Sequence, residues 1–468
     1  MVKLMEKMDD SISGAVRAGL LAGPGRCAAP AWWTNRQQEA WTRFQSLPMP
    51  KRKDEDWRFA NINAIDLSRY TAGAALSTSQ KESILARSQN SLEAAATAVL
   101  ANDQVLAQSP LPVDWVQKGV IFEPIAQALE KHPQLLQKHF MEKPVVLGSE
   151  KFSTLHRAFC RNGMLLYVPK NVQLVAPLSV WHWIAGADTA AFPHTLIIAD
   201  ENSQVTCFDW YQSLTEEPGF ACSICDLILS AGAQVHYFAG QNWNEQTLAF
   251  QMSSTSVQRD ASAKSLNFNL GGSFARVESH SRLAGTGARS EMLGLTIAHA
   301  GQEFDQRTLQ DHQSPHTWSD LLYKNTLNHS SKTIFQGLIK VEPGASQTDA
   351  YQTNRNLLLS PVAEADSMPG LEIRNDDVKC SHGSTTGQVN TEELFYMLAR
   401  GIPQHVANYL ISVGFTEEVL QRFGQEKLSA VLRSLIAEKF SRSQKIALQT
   451  VSEDEIEETN VRSLQGTE

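Results

Sequence analysis

Residues Cys225–Gly240 read CDLILSAGAQVHYFAG: an apolar run, a small-residue turn around Gly232, then polar and apolar residues in alternation. Alternation with period two marks a strand, because successive side chains point to opposite faces. A Gly-Ala dipeptide followed by polar alternation recurs at Gly232, Gly287 and Gly344, 55 and 57 residues apart, and ENSQV near Asn202 lies 30 residues before the first. A turn residue followed by a strand, repeated, is the pattern of stacked coils. One coil cannot bury its apolar face alone, so stacking makes the core. MLLYVPKNVQLVAPLSVWHW, HTLIIADENSQVTCFDWYQS and KTIFQGLIKVEPGASQTDAYQ have the same character, which runs from about Gly163 to Asn375. Strand-forming residues dominate there. A β-sandwich also gives short alternating strands; the periodicity favours a solenoid.

Helical patterns flank this region. On the N-terminal side NRQQEAWTRFQSLPMP, SLEAAATAVLANDQVLAQS and FEPIAQALEKHPQLLQKHF read as helices, with the loop PMPKRKDEDWRF between the first two. On the C-terminal side Asn390 precedes TEELFYML, with Glu393 placed for a capping box. Arg400 and Gly401 end that helix with a cation and a glycine. Pro403 opens PQHVANYLISV, which Gly414 closes; Thr416 caps EEVLQRF, and EKLSAVLRSLIAEKF follows. Beyond Gln449, VSEDEIEETNVRSLQGTE reads as a disordered acidic tail. The expected division is 1–150 helical, 151–378 β, 379–449 helical and 450–468 tail.

Composition bounds the function. Of 468 residues 42% are hydrophobic and 19% charged, enough for a sizeable core. The net charge of −9 argues against a nucleic-acid backbone binder. MVKLMEKMDDSISGAVRAGLLAG carries early acids and no continuous apolar region, so no signal peptide is expected. No apolar run reaches the ~18 residues of a membrane span. Six cysteines at irregular spacing form no disulfide framework. The expectation is a cytoplasmic protein with reduced thiols and no membrane or nucleic-acid partner.

Familiar catalytic signatures are absent. There is no GxxxxGK[ST], GPGRC opens no strand–helix phosphate cradle, and no Gly-x-Ser-x-Gly elbow occurs. Cys222 and Cys225 form a C-x-x-C, but three residues apart on a strand they point to opposite faces and read as buried structural thiols. His312 and His316, with Asp311 and Asp320, surround Pro315, which argues against a helical metal pair; they read as polar residues of a coil. Cys27 and Cys160 read as structural. Cys380 and His382 differ. They lie where β character gives way to helix, and on a strand i and i+2 share a face. Thiolate and imidazole suit iron and zinc. Two ligands cannot complete a tetrahedral site, so a metal there needs another segment or another chain. Packing is the competing reading.

FDQRTLQDHQSPHTWSD, IFQGLIKVEPGASQTDAYQTNRNLLLS, MPGLEIRNDDVKCSHGSTTGQ and EELFYMLARGI, with weaker support from LPMPKRKDEDWRFANI and FSTLHRAFCRNGMLLYVP, make the chain resemble the SufB/SufD family of iron–sulfur cluster assembly scaffolds. The resemblance implies a mainly β fold, a right-handed parallel β-helix (solenoid) flanked by N-terminal and C-terminal helical regions. Cys380–Gly383, CSHG, is similar to SufD-type members; SufB-type paralogs carry a glutamate where Gly383 stands. They also carry a sulfur-accepting cysteine in the segment matching Asn354–Ser360, which here contains none. At Leu155–Ala158 the chain departs from the family's usual Leu-Asn-x-Ala.

The resemblance further implies a non-catalytic scaffold subunit that pairs with a SufB-like paralog and docks a SufC-like ABC ATPase, which hydrolyses the ATP. His382, with Cys380, would form half of an iron or cluster site shared with SufB, and no nucleotide would bind this chain. Helices after Asn390 would dock the ATPase, with Glu393, Leu394, Phe395, Tyr396, Arg400 and Gly401 as candidate contacts. No residue argues for or against the reduced flavin that some complexes of the family bind. Two rivals remain at this point. One is a stand-alone β-solenoid enzyme on a polymer, for which Asp311 and Asp320 are the nearest carboxylates. The other is a homodimeric metal-binding protein using Cys380 and His382 from each chain.

Overall fold

The computed structural model describes residues 29–89, 92–143 and 145–442. Cys27, the N-terminal leader reading and the acidic tail lie outside them.

The centre is a parallel β-solenoid. Its strands form two sheets, of 11 and 10 strands among the described residues, and successive strands of the solenoid alternate between them, so that each coil adds one strand to each sheet. Each coil takes 26 to 32 residues, as the register partners Leu248 with Phe274 and Lys332 with Glu364 show. The 55-residue echo from Gly232 to Gly287 is therefore two coils, whereas Gly344 lies three residues before the matching corner of its coil, Gln347.

One turn explains why only alternate coils were visible. Asn171, Asn202, Gly232, Asp260, Gly287, His316 and Gln347 all have left-handed φ, between 53° and 73°. They recur once per coil. Each backbone N–H donates to a carbonyl of the next coil: Asn202 to Ala231, Gly232 to Arg259, Asp260 to Thr286. Glycine fits such a corner without strain, and Asn and Asp tolerate it. At Gly232 the approach is also close, since a Cβ there would lie 2.2 Å from the Asn202 Oδ1. His316, singled out in the sequence as a possible ligand, is one of these corner residues and is exposed.

The N-terminal region covers one face of the solenoid. Helix Ala31–Ser46 packs on helix Glu150–Phe159. Trp33, Trp41, Phe44, Trp57 and Phe152 then meet Phe220, Phe250 and Phe274 on the strands, and the Phe152 and Phe250 rings stack at 3.8 Å. Burying one such ring contributes about 1.5–3 kcal/mol. Arg276 locks this layer in place. Its guanidinium pairs with Glu278 and Asp305, donates to the carbonyls of Asp56 and Leu147, and lies 3.9 Å from the Trp57 ring. The C-terminal helices Gln404–Phe423 and 426–442 cover the other sheet through Val419, Leu420, Phe423, Leu428, Leu432 and Ile436. No helix among the described residues is long and apolar enough to cross a membrane.

Several sequence expectations need correction. SLEAAATAVLANDQVLAQS is not a helix. It holds the antiparallel hairpin Ala96–Ala101 and Gln104–Gln108, whose corner residues Asn102 and Asp103 both have positive φ. That geometry favours a tight hairpin, and pairing of Ala96–Ala101 with Leu178–Ile184 overrides the helix propensity of alanine. FEPIAQALEKHPQLLQKHF begins as strand Ile121–Pro124 and continues as two helices, Ile125–Lys131 and Pro133–His139, broken at His132-Pro133. Gly414 does not close a helix and Thr416 does not open one. Gln404–Phe423 is continuous, the Thr416 hydroxyl donates to Val413 O within it, and the stop is left-handed Gly424. The expected boundary at 150/151 falls inside helix Glu150–Phe159, and strand Val378–Gln388 carries the solenoid ten residues past 378.

Candidate functional site

The last coil is open. Strands Glu364–Ile373 and Val378–Gln388 are the terminal members of the two sheets, so each has a neighbour on one side only. An edge strand presents unpaired N–H and C=O groups, a template for another chain. Every earlier coil is covered by the next. Here the stacking ends, which leaves Leu371 38% and Ile373 41% exposed.

Cys380 and His382 lie on this edge. Parallel register stacks Cys380 on Ala350, His382 on Gln352, Ser384 on Asn354 and Thr386 on Asn356. Ala350, Gln352, Asn354 and Asn356 are all buried. The four upper residues therefore extend a buried row into solvent, on one face of the strand. Cys380 is half-buried beside Ile339, Val341, Ala345 and Ala350, whereas His382 is exposed. Burial pushes the Cys380 thiol up, the Asp349 carboxylate adds to this, and an Ala350 backbone hydrogen bond opposes it. The thiol thus waits protonated, and binding a metal must release its proton. The arrangement offers one thiolate and one imidazole to a partner across the edge. Among the described residues no third His, Cys, Asp or Glu joins them into a three-ligand group.

Beside this pair the coil interior is polar, a feature not read from the sequence. The Ser384 hydroxyl donates to Ser367 (2.7 Å), Ser367 to the Asn354 Oδ1 (3.1 Å) and the Asn356 amide to Thr386 (3.1 Å). The first bond joins the two edge strands and the others join them to strand Thr348–Leu358, continuing a polar row that earlier coils also carry, as in Gln306 with Asn325 and Gln251 with Asn267. Two-residue spacing of Asn354, Asn356 and of Ser384, Thr386 was a usable signal once the register was known.

Helix Thr391–Ala399 follows at once. The Asn390 side chain accepts from the Glu392 N–H at 2.9 Å, and Gly401 ends the element with φ of 79°. None of its residues is buried. Phe395 is 72% exposed and Tyr396 59%, and the Arg400 guanidinium lies 5.0 Å from the Tyr396 ring. Leu394 is half-buried and Glu393 exposed.

The other candidates resolve into structure. Cys222 and Cys225 are buried in different core clusters, on opposite faces of strand Gly219–Leu229. His312 is buried, with ring nitrogens 2.7 Å from the Thr317 and 2.8 Å from the Ser319 hydroxyl; burial lowers it to about 4. Asp311 faces His280 and Gln313, whereas Asp320, on the other sheet, pairs with Arg422. They do not form the carboxylate pair that a polymer-cleaving enzyme requires.

Comparison with known proteins points one way. Residues 182–415 match the family described as "SUF system FeS cluster assembly, SufBD core domain", and residues 28–180 match "SufBD protein N-terminal region". The iron-sulfur cluster assembly protein SufD of Bacillus subtilis (strain 168) is 29% identical over 423 residues, covering 88% of this chain and 94% of that protein. A SufBD family iron-sulfur cluster assembly protein of Staphylococcus aureus (strain MRSA252) is 27% identical, covering 66% of this chain and 67% of its own length. One from Staphylococcus epidermidis (strain ATCC 12228) is 28% identical with the same coverages.

Proposed function

Since this chain belongs to the SufBD family of SUF-system iron–sulfur cluster assembly proteins and is most like SufD, we propose that it is a scaffold subunit working as half of a pair. The partner is a SufB-like paralog that joins it at the open coil. The single observation that carries this reading is the uncovered edge bearing Cys380 and His382 in register with a buried row.

Edge-to-edge pairing satisfies the free backbone groups and covers Leu371 and Ile373. It also brings a second chain's ligands against His382 and Cys380. Iron or the nascent cluster is then cargo held between subunits, and His382, the exposed member, faces the partner. Cys380 contributes once deprotonated. The chain performs no hydrolysis itself.

A SufC-like ATPase docks on the unburied helix Thr391–Ala399, through Leu394, Phe395, Tyr396 and Arg400, with Glu393 and Gly401 at its margins. This helix follows the edge strand after two residues, so movement of the docked ATPase reaches the edge directly. ATP-driven motion that favours an opened interface would expose the shared ligands. A homodimer through the same edge is the form expected of the chain alone.

The test is co-expression with a SufB-like and a SufC-like protein, followed by anaerobic purification and iron and sulfide analysis. The proposal expects one complex containing all three and carrying iron and sulfide. Recovery of this chain alone, with neither partner, would sink it.

A further inference from the structure

Far from the open coil, near the opposite end of the 11-stranded sheet, three potential ligands converge in the interior. They are His156, Cys160 and His194, whose ligand atoms lie within 4.8 Å of one another. His156 sits in helix Glu150–Phe159 and Cys160 is its C-cap, one turn later and on the same side. His194 opens the strand His194–Ala199. All three are buried, at 0%, 2% and 0% exposure.

The outer nitrogens of both histidines already have the surroundings of metal ligands. His156 Nδ1 is 2.6 Å from the Cys222 carbonyl, so it carries the proton and Nε2 presents a lone pair inward. His156 Nε2 lies 3.2 Å from His194 Nδ1. That separation suits a hydrogen bond, and it equally suits two nitrogens about 2.0–2.1 Å from a tetrahedral zinc. On the far side His194 Nε2 is 3.7 Å from the Asp226 carboxylate. Both His194 Nε2 and that Asp226 oxygen are buried without a hydrogen-bond partner. If a cation takes the His194 Nδ1 lone pair, the ring proton moves to Nε2 and faces Asp226. A closure of about 0.7 Å from the present 3.7 Å then brings the two orphaned atoms into hydrogen-bond distance and completes the carboxylate–histidine–metal arrangement.

We propose that His156 Nε2, His194 Nδ1 and Cys160 Sγ form a resident site for a thiolate- and imidazole-seeking d10 cation, zinc(II) or copper(I). Binding releases the Cys160 thiol proton to solvent, and both imidazoles stay neutral. Burial pushes the Cys160 thiol up and lowers His156 to about 3. The imidazole is therefore ready as a neutral donor, and the thiolate forms only with the cation to neutralise it. The site clips the N-terminal helix to the first coils. It is separate from the cargo ligands Cys380 and His382 and does not depend on the function proposed for them.

The test uses the full chain without an affinity tag, produced with zinc and copper supplied and purified without chelator. Elemental analysis should find about one equivalent of zinc or copper per chain. Cys160→Ala and His156→Asn should each lower it about tenfold or more. Since the buried variants could fail to fold, wild-type protein is also unfolded, stripped and refolded with cobalt(II), which should give thiolate–cobalt absorption. Metal-free protein that refolds without such absorption overturns the site, leaving a His156–His194 hydrogen bond only. Stoichiometric iron in place of zinc or copper overturns the assigned cation class.

Discussion

Replacing Arg276 with methionine isolates the strongest polar contact between the N-terminal region and the solenoid. Arg276 is 1% exposed and donates to Glu278 (2.7 Å), Asp305, Ser149 (3.1 Å), Asp56 O (2.9 Å) and Leu147 O (2.6 Å). Methionine keeps much of the volume but removes every donor. Asp305 retains Arg307 at 2.6 Å, so its charge stays paired. Glu278 keeps only the Ser149 hydroxyl at 2.5 Å and becomes an uncompensated buried carboxylate. Breaking a buried pair in this way costs about 3–5 kcal/mol. Two backbone carbonyls also lose their donor, which places the expected loss in the upper half of that range.

The measurement is denaturant unfolding followed by tryptophan fluorescence, since Trp57 and Trp33 report on the N-terminal layer. Limited proteolysis should locate the added opening in residues 29–160. A second substitution gives a sharper check. Adding Glu278→Gln removes the uncompensated buried charge and should recover part of the loss at neutral pH. A loss below about 1 kcal/mol, or no recovery on adding Glu278→Gln, refutes the reasoning.

Two further outcomes follow from particular side chains. Burial raises the Glu303 carboxyl to about 7, against the Asn61 backbone N–H that it accepts. With its folded pKa above its unfolded one, it favours folding at low pH, and that contribution is lost as pH rises from about 4.5 through 7. Glu303→Gln should therefore be more stable than wild type at pH 8, by about 1–2 kcal/mol, with the advantage gone at pH 4.5; thermal melts that run parallel across this window contradict it. Phe395→Ala removes the most exposed aromatic of the unburied helix. It should leave unfolding unchanged and weaken ATPase binding by about 2 kcal/mol or more, roughly 30-fold in Kd by titration calorimetry; unchanged affinity removes that helix from the docking surface.

How much of this the sequence disclosed depended on whether a signal was local. The solenoid was legible because some coils turn on Gly-Ala, at Gly232 and Gly287. The same left-handed corner is taken by Asn202, Asp260, His316 and Gln347 elsewhere, and only the structure shows them as one ladder. The hairpin Ala96–Gln108 was hidden because alanine favours helix when alone, and its strand depends on a partner more than 70 residues away. Gly414 misled because glycine inside a well-packed helix costs only about 1 kcal/mol, which tertiary contacts overrule. Cys380 and His382 were legible as a same-face pair. That their face ends in an uncovered coil, or that His156 and Cys160 meet His194, depends on strand order and no local pattern carries it.

The most direct test of the central claim is iron and sulfide incorporation by the complex assembled with His382→Ala. His382 is exposed, so unfolding stability should stay within about 0.5 kcal/mol of wild type. The variant should also co-purify with both partners in normal yield. The account predicts that this intact complex loses cluster formation by about tenfold or more. Wild-type iron and sulfide content in the variant complex would contradict it.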